Sequence, residues 1–583
     1  MVTSEADRTP IDTALAWLLS PPDVDPVPER WVPGASDAER RRLTALGGLV
    51  NALVGTAVAD GADEAFAEPD LRAWLSGGPR PPEDVILAGK RVLAEDMEDG
   101  LARIYASVVS AASRRTLGTF FTAPSWVNWM IDRWAQHHSE PAAVVDVGAG
   151  VGIFTTAASG RWPGSQVWSI DINPITLGLL ALRVQDAGFP LRSATETEAG
   201  LRVVLADFTL WIRETWPKLP GSRLILGNPP YTRLQLLPID QRERLGDAAG
   251  GLCGRRASLS ALITAMSLNA LERQDGLCLL LPAQWLESDY ARELRMRLWS
   301  LRQRRVEIHL FDDKLFHDAE VDAVALVVGP EQDLPQPLVF SRGEHVWTPD
   351  RSGSAPIKWR GVFDGTTVEA EPTGVRLGDL LNVRRGVATG ANGFFVIPER
   401  RVRETVAARS ALTPLIRRLN GMPDVVTNEV LGRLPDDNRY WLLTATEQSV
   451  ERLKGLSSYI DHGVDRGFNR RHLCQSRRRW YDLTAEVFRP DLVIGQSTKK
   501  VFRILENRAG ATLVNNLYGM SWKPDVDELT RAEVLTWLRS QEGQRAITAQ
   551  SRTQGAGLKK IEPKALLQVQ LPPRFKPPQG ILA

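Results

Sequence analysis

Four short apolar runs in the middle of the chain constrain it more than any other feature: three end on an acid and the fourth ends on Asn-Pro-Pro-Tyr. The first, Val144-Val145-Asp146-Val147, breaks into Gly148-Ala149-Gly150-Val151-Gly152 and then a helical stretch from Ile153. The second, Val167-Trp168-Ser169-Ile170-Asp171-Ile172, and the third, Val203-Val204-Leu205-Ala206-Asp207-Phe208, follow at helix-sized intervals. Continuous apolar runs alternating with amphipathic segments predict parallel strands buried on both faces, joined by helices into a twisted sheet. Ligands of such sheets bind at the carboxyl ends of the strands, and Asp146, Asp171, Asp207 and Asn228 all fall at such ends.

The residue types at those ends suit a nucleoside-bearing ligand. Gly148, Gly150 and Gly152 allow positive φ and close approach of backbone to ligand, while Asp146 can orient the turn or meet an ammonium group. Asp171, about twenty residues on, can accept from both ribose hydroxyls, with Ile172 beside it. Asp207 suits a hydrogen bond to an adenine amine, with Phe208 beside the ring. A lone glycine turn after a strand is shared with dinucleotide-binding folds, which do not continue to Asn-Pro-Pro-Tyr.

The fourth run, Leu224-Ile225-Leu226-Gly227-Asn228-Pro229-Pro230-Tyr231, carries the chemistry. The amine of adenine or cytosine is a poor nucleophile because its lone pair is delocalised into the ring. The Asn228 side-chain oxygen and the Pro229 carbonyl can accept both N–H bonds of such an amine and aim its lone pair at a methyl donor. Pro229 and Pro230 pre-set φ and keep the loop rigid. Tyr231 offers a ring on which a planar base can stack. A Pro-Pro turn after a buried strand would explain the tetrapeptide alone, but not the glycine turn and acids upstream.

In this order the pieces resemble the gamma-class N6-adenine DNA methyltransferases of bacterial restriction-modification systems. Gly118-Thr119-Phe120-Phe121-Thr122-Ala123-Pro124 is similar to the family's Gly-x-Phe-Thr-Pro element, with an extra Ala before Pro124. By that resemblance Thr119, Phe121 and Thr122 contact the methionine part of S-adenosylmethionine. Gly276 to Leu286 and the helix Tyr290 to Leu301 resemble the family's strand and helix beyond the active site. Val306 to Phe311 and Phe316 to Val328 fit its last two strands, the final one antiparallel. Val387 to Ile397 resembles the opening of a target-recognition domain and Gly555 to Ile561 its end. One departure concerns the helix before Gly276, where family members carry an aromatic residue that helps hold the flipped base. Leu259 to Leu271 has none, leaving Ile263 or a neighbour, a recognition-domain aromatic, or Tyr231 alone for that role.

The length, 583 residues, exceeds what one core usually fills. The resulting expectation is α/β: a Rossmann-like methyltransferase sheet at 114–335, a helical region at 1–113, and a separate α+β recognition domain at 336–583. Pro330 to Pro337 reads as the linker, and Val383 to Ile397 as a hairpin around Thr389-Gly390-Ala391-Asn392-Gly393. Three cysteines without a CxxC pair argue against a disulfide framework and a zinc site. No basic-then-apolar start and no membrane-length apolar run predict a soluble, cytoplasmic bacterial protein.

A net charge of +1 says little, because binding DNA needs local positive surface. Basic residues crowd with aromatics towards the C-terminus, in Arg470-Arg471-His472, Arg477-Arg478-Arg479-Trp480-Tyr481 and Lys499-Lys500. Such mixtures suit phosphate contacts with stacking side chains between them. The candidate DNA contacts are Arg384, Arg385, Thr389, Asn392, Arg470, Arg471, Arg477, Arg478, Lys499 and Lys559. The expected partner is double-stranded DNA, with a monomer sufficient because both regions lie on one polypeptide; a cognate endonuclease or defence-complex subunits stay open. Rival acceptors are a protein glutamine, RNA and cytosine N4, and a further rival is an inactive DNA-binding homologue.

Overall fold

The computed structural model describes residues 9–54, 68–95, 100–117, 121–232, 234–237, 239–254, 256–311, 322–353, 355–364, 374–405, 409–554 and 558–575. The chain divides into two compact units, Met1–Val368 and Glu369–Ala583.

The first unit is built on nine strands: β1 (Ala143–Val147), β2 (Gln166–Asp171), β3 (Gly200–Leu205), β4 (Arg223–Gly227), β5 (Gly276–Pro282), β6 (Arg304–Leu310), β7 (Ala323–Glu331), β8 (Leu338–Arg342) and β9 (His345–Trp347). Their order is β3-β2-β1-β4-β5-β7-β6-β8-β9. The strands β3, β2, β1, β4 and β5 run parallel, and β7 enters antiparallel between β5 and β6, the reversal the sequence resemblance implied. Alternate side chains feed two cores. Val144, Val167, Leu224 and Leu226 face one; Val145, Ile170, Ile225 and Leu277 face the other.

Among the described residues, the helical region at the N-terminus shares its core with the sheet. Helices Pro10–Leu19, Asp37–Val54, Pro69–Gly77, Glu83–Glu95 and Gly100–Val108 bury Leu46, Trp74 and Tyr105 in the same cluster as Val144 and Leu180. Trp74 donates its indole N–H to the Leu43 carbonyl at 2.9 Å. Its ring lies so close to helix Pro174–Asp186 that a Cβ on Gly178 would come within 2.2 Å of it. This region is therefore one wall of the sheet's own domain.

Two sequence expectations change here. Residues 332–337 form a tight connection rather than a linker: Gln332 and Gln336 donate to the carbonyls of Gln303 and Arg302. The strand that follows, β8, pairs in parallel with β6, so 336–364 extends the first unit instead of opening the C-terminal domain. Leu338 and Phe340 are fully buried there, which drives the pairing.

The second unit is α+β, with a five-stranded, a four-stranded and a three-stranded sheet. Val383 to Ile397 is not a hairpin. Strand Leu381–Arg385 pairs with Leu517–Trp522, whereas Val396–Pro398 pairs with Tyr440–Leu443 in another sheet. Between them Asn392–Phe395 closes one helical turn that buries Phe394 and Phe395. The helical turn lets both adjacent aromatics enter one core, where strand geometry would send them to opposite faces.

Candidate active site

The strand order reverses between β1 and β4, and this switch point brings the glycine turn, Asp146 and the Asn228 loop together. Gly148, Gly150 and Gly152 all take positive φ, at 67°, 55° and 86°. Gly227, with φ 135°, ends β4 so close to β1 that a Cβ would lie 2.8 Å from the Val147 carbonyl oxygen and 2.9 Å from Asp146 Oδ1. Only glycine permits that approach. It brings the Asn-Pro-Pro loop against the glycine turn: a Cβ built on Gly148 would touch Pro230 at 3.5 Å and the Asn228 carbonyl at 3.6 Å.

Asp146 is fully buried. Its Oδ2 accepts from the Thr155 hydroxyl at 2.6 Å, and Thr155 lies 2.8 Å from the Ser169 hydroxyl. Oδ1 is buried with no hydrogen-bond partner among the described residues. Burial pushes the Asp146 carboxyl up to about 7, against the lowering effect of the Thr155 bond. At the end of β2, Asp171 accepts from the Gly150 N–H on Oδ2 at 2.8 Å and from the Asn173 N–H on Oδ1 at 2.9 Å. Those bonds pin the carboxylate across the glycine turn, although desolvation still raises its pKa. Ile172 beside it is 71% exposed, an apolar surface open to a ligand ring.

Asp207 Oδ1 caps helix Phe208–Glu214 through the Thr209 N–H at 2.9 Å, and Oδ2 lies 3.8 Å from Arg244. Phe208 differs from expectation. It is buried against Trp211, ring centroids 6.4 Å apart, because the first turn of its helix points into the core rather than across a ligand. Asn228 donates from Nδ2 to Thr122 Oγ1 at 3.1 Å, which fixes the orientation of the amide. Thr122 thus serves the Asn-Pro-Pro loop directly. Phe121 stands edge-on to Tyr105, 5.8 Å between centroids. Thr119 lies outside the described residues. Tyr231 is half-buried and packs against the core on the β1 face. Ile263, one alternative for the missing aromatic, is buried in the opposite core.

Sequence reading missed Thr155, Ser169, Asn173 and Tyr105. Ser169 left a signal, the one small polar residue in an otherwise apolar strand. Tyr105 left none, because its role depends on a helix docked from outside the sheet.

In the second unit the predicted DNA contacts divide. Thr389 is buried, donating to Asn392 Oδ1 at 2.6 Å and accepting from the Ala391 N–H at 3.1 Å. Arg477 turns inward to the Ala388 and Thr389 carbonyls, 2.8 and 3.0 Å, and pairs with Glu486. Both are corrected from surface contacts to internal braces: a guanidinium fork finds carbonyls of a sharp turn to satisfy. Arg471 donates to the Gly390 carbonyl at 3.2 Å while staying exposed. Arg384 stacks over Phe488, and Arg385 reaches Tyr518 and Glu562. Arg470, Arg478 and Lys499 are exposed, Asn392 is exposed at the turn, and Lys559 is half-buried on strand Leu558–Lys560.

The sheet order, with glycine turn and acids at its switch point, is that of the S-adenosylmethionine-dependent methyltransferase fold. Residues 366–579 match the family model for the C-terminal domain of the type II methyltransferase M.Eco57I. The chain is 23% identical over 483 residues to the type II methyltransferase M.XamI of Xanthomonas campestris pv. amaranthicola, covering 78% of this chain and 85% of that one. It is 21% identical over 499 residues to M.AccI of Acinetobacter calcoaceticus, covering 81% and 88%. The type IIL restriction-modification enzyme MmeI, solved in complex with DNA, shares the fold at a TM-score of 0.57 and 12% identity, covering 90% of this chain and 79% of that one. Over most of its length the chain is thus similar to type II methyltransferases of restriction-modification systems, on a methyltransferase fold.

Proposed function

We propose that the protein transfers a methyl group from S-adenosylmethionine to adenine N6 in duplex DNA, as the modification enzyme of a restriction-modification or related defence system. The observation that carries this reading is the junction of the Asn228-Pro229-Pro230 loop with the glycine turn, which supports amine activation next to a methyl donor.

The residues fit that donor. The buried, unpartnered Oδ1 of Asp146 would take a cationic group, the pinned carboxylate of Asp171 the ribose hydroxyls, and exposed Ile172 an adenine face. Bound S-adenosylmethionine would supply an electrophilic methyl on a positively charged sulfonium. Asn228 and the Pro229 carbonyl accept the N6 hydrogens and direct the nitrogen lone pair at that methyl. The carbon–sulfur bond would break with its electron pair left on sulfur, releasing S-adenosylhomocysteine, and the proton lost from nitrogen passes to solvent. Catalysis on this account is positioning and hydrogen bonding, with Thr122 holding the Asn228 amide in register. Adenine N6 lies inside the duplex, so the base must leave the stack; Tyr231 provides the ring that receives it. Exposed Arg470, Arg478 and Lys499 supply phosphate contacts in the C-terminal unit. Among the described residues no helix is long and apolar enough to cross a membrane.

The test is long-read sequencing of DNA from cells expressing the protein or its Asn228→Ala variant, with modified bases scored by sequence context. N6-methyladenine at a recurrent motif, absent with the variant, is the expected result. Modification of cytosine, or of RNA or protein instead of DNA, would overturn the adenine assignment.

A further inference from the structure

Burial of Phe208 leaves the end of β3 without the ring expected there, and a different side chain stands at that place. Strands β2 and β3 end side by side. Asp171 is opposite Leu205 and its carbonyl accepts from the Ala206 N–H at 2.9 Å, so Asp207 follows directly beside the exposed Ile172. Asp207 Oδ1 is committed to its helix, accepting from the Thr209 N–H at 2.9 Å and from the Thr209 hydroxyl at 2.6 Å. Oδ2 receives no hydrogen bond among the described residues, and the Arg244 guanidinium stands 3.8 Å from it. That separation is within ion-pair range but beyond a hydrogen bond, so the oxygen keeps its capacity to accept an N–H. Arg244 comes from helix Ile239–Ala248, which is docked by Leu245 in the same core as Phe208. The chain leading into that helix starts at the acceptor loop: the Thr232 carbonyl, one residue past Tyr231, accepts from the Leu259 N–H at 2.8 Å.

We propose that Arg244 is a positioning residue for the adenine end of the cofactor, holding the free oxygen of Asp207 where it accepts from the adenine amine. This rests on the cofactor reading above. The two donors of Thr209 fix one oxygen of the carboxylate, and the attraction of the guanidinium fixes the side on which the other stands. The Arg244 and Asp207 side chains are 47% and 31% exposed, so water screens the pair and its effect on binding is modest. Arg244 and Asn228 lie on one continuous segment after β4, so the stretch that activates the acceptor also steadies the group that meets the donor's base.

The experiment is calorimetric titration of the full-length protein with S-adenosylhomocysteine, alongside steady-state methylation with S-adenosylmethionine varied. Arg244→Ala should bind about 4-fold more weakly, with a matching rise in KM for the cofactor and kcat within about 2-fold. Arg244→Lys keeps the charge and should stay within about 2-fold of the parent. Asp207→Ser keeps an N-cap and removes the second oxygen, and should lose at least as much as Arg244→Ala. Adding Arg244→Ala to Asp207→Ser should cost little more, because both break the same link. Binding by Arg244→Ala equal to the parent's, binding by Asp207→Ser equal to the parent's, or losses that multiply in the double variant would overturn the proposal. So would equal falls in kcat and affinity with a lowered unfolding midpoint, which would mark Arg244 as a brace of its helix alone. Asp171→Ala separates this from the underlying reading: if it binds S-adenosylhomocysteine as well as the parent, or if the parent binds none, the cofactor assignment itself fails.

Discussion

The two units assign their functional side chains by different physics. In the first, Asp146, Asp171 and Asn228 stand at or just beyond the carboxyl ends of adjacent parallel strands, and the ladder fixes their separation: Asp146 is opposite Ser169 on one side and Leu226 on the other. Backbone hydrogen bonding does the placing, so a residue's position in its run determines where its chemistry lies. In the second unit, neighbouring arginines of one basic run go opposite ways. Arg477 is buried in carbonyls and an ion pair while Arg478 is exposed. Long side chains find their role only when the fold supplies the partner.

The sharpest way to break this contrast is Asn228→Ala. If the strand end positions a reacting group and little else, methyl transfer should fall by about 10³-fold or more while cofactor affinity stays within about 2-fold. Single-turnover rates and cofactor titration measure the two separately. Comparable losses in both would mean that the loop is part of the cofactor pocket's framework, and the assignment of Asn228 to the acceptor amine would fall.

The arginine pair comes next. Arg477→Ala leaves Glu486 and two turn carbonyls without their donor in a poorly solvated place, and should cost about 3 kcal/mol of stability in denaturant unfolding. Arg478→Ala should leave the unfolding curve unchanged, weaken DNA binding across sequences, and lower the salt slope of log K by about 1. The reverse pattern would show that exposure is a poor guide to phosphate contact here.

Legibility in the sequence follows the same division. The central parallel strands and the residues at their ends could be read from run length, glycine spacing and terminal acids, since each signal is local, whereas the antiparallel β7 came from the family resemblance alone. What escaped needed long-range contacts. Phe208 looked available to a ligand until its helix turned it onto Trp211. Thr389 looked like a loop contact until the turn that buries Phe394 and Phe395 made it an internal brace, bonded to Asn392 and the Ala391 N–H. Pro330 to Pro337 has linker composition, yet the apolar residues of β8 pull the chain back onto β6. Tyr105 lies some forty residues before β1 on a helix whose pattern announces only burial, and nothing local indicates that it meets Phe121.

The smallest expected effect tests whether the strand-end logic extends to protonation. Asp146, ordinarily near 3.8, is raised to about 7 chiefly by burial, with the Thr155 hydroxyl partly restoring the charged form. Among the described residues the charged group that faces it from the packed elements is Asp171 on β2; β4 and helix Ile153–Arg161 present Gly227 and Thr155. Between about pH 4 and pH 7 the folded protein holds a proton that the unfolded chain has released, so this group's contribution makes stability fall as pH rises through that window and level off above it. A cationic ligand favours the ionised carboxyl, and its affinity should therefore rise as pH passes about 7. Thr155→Val removes a donor to that ionised form. It should move the rise upward by roughly one pH unit, whereas Thr155→Ser should leave it in place. Cofactor titrations across neutral pH decide the matter, since an affinity independent of pH in all three proteins would mean that Asp146 holds the glycine turn without meeting the ligand's charge.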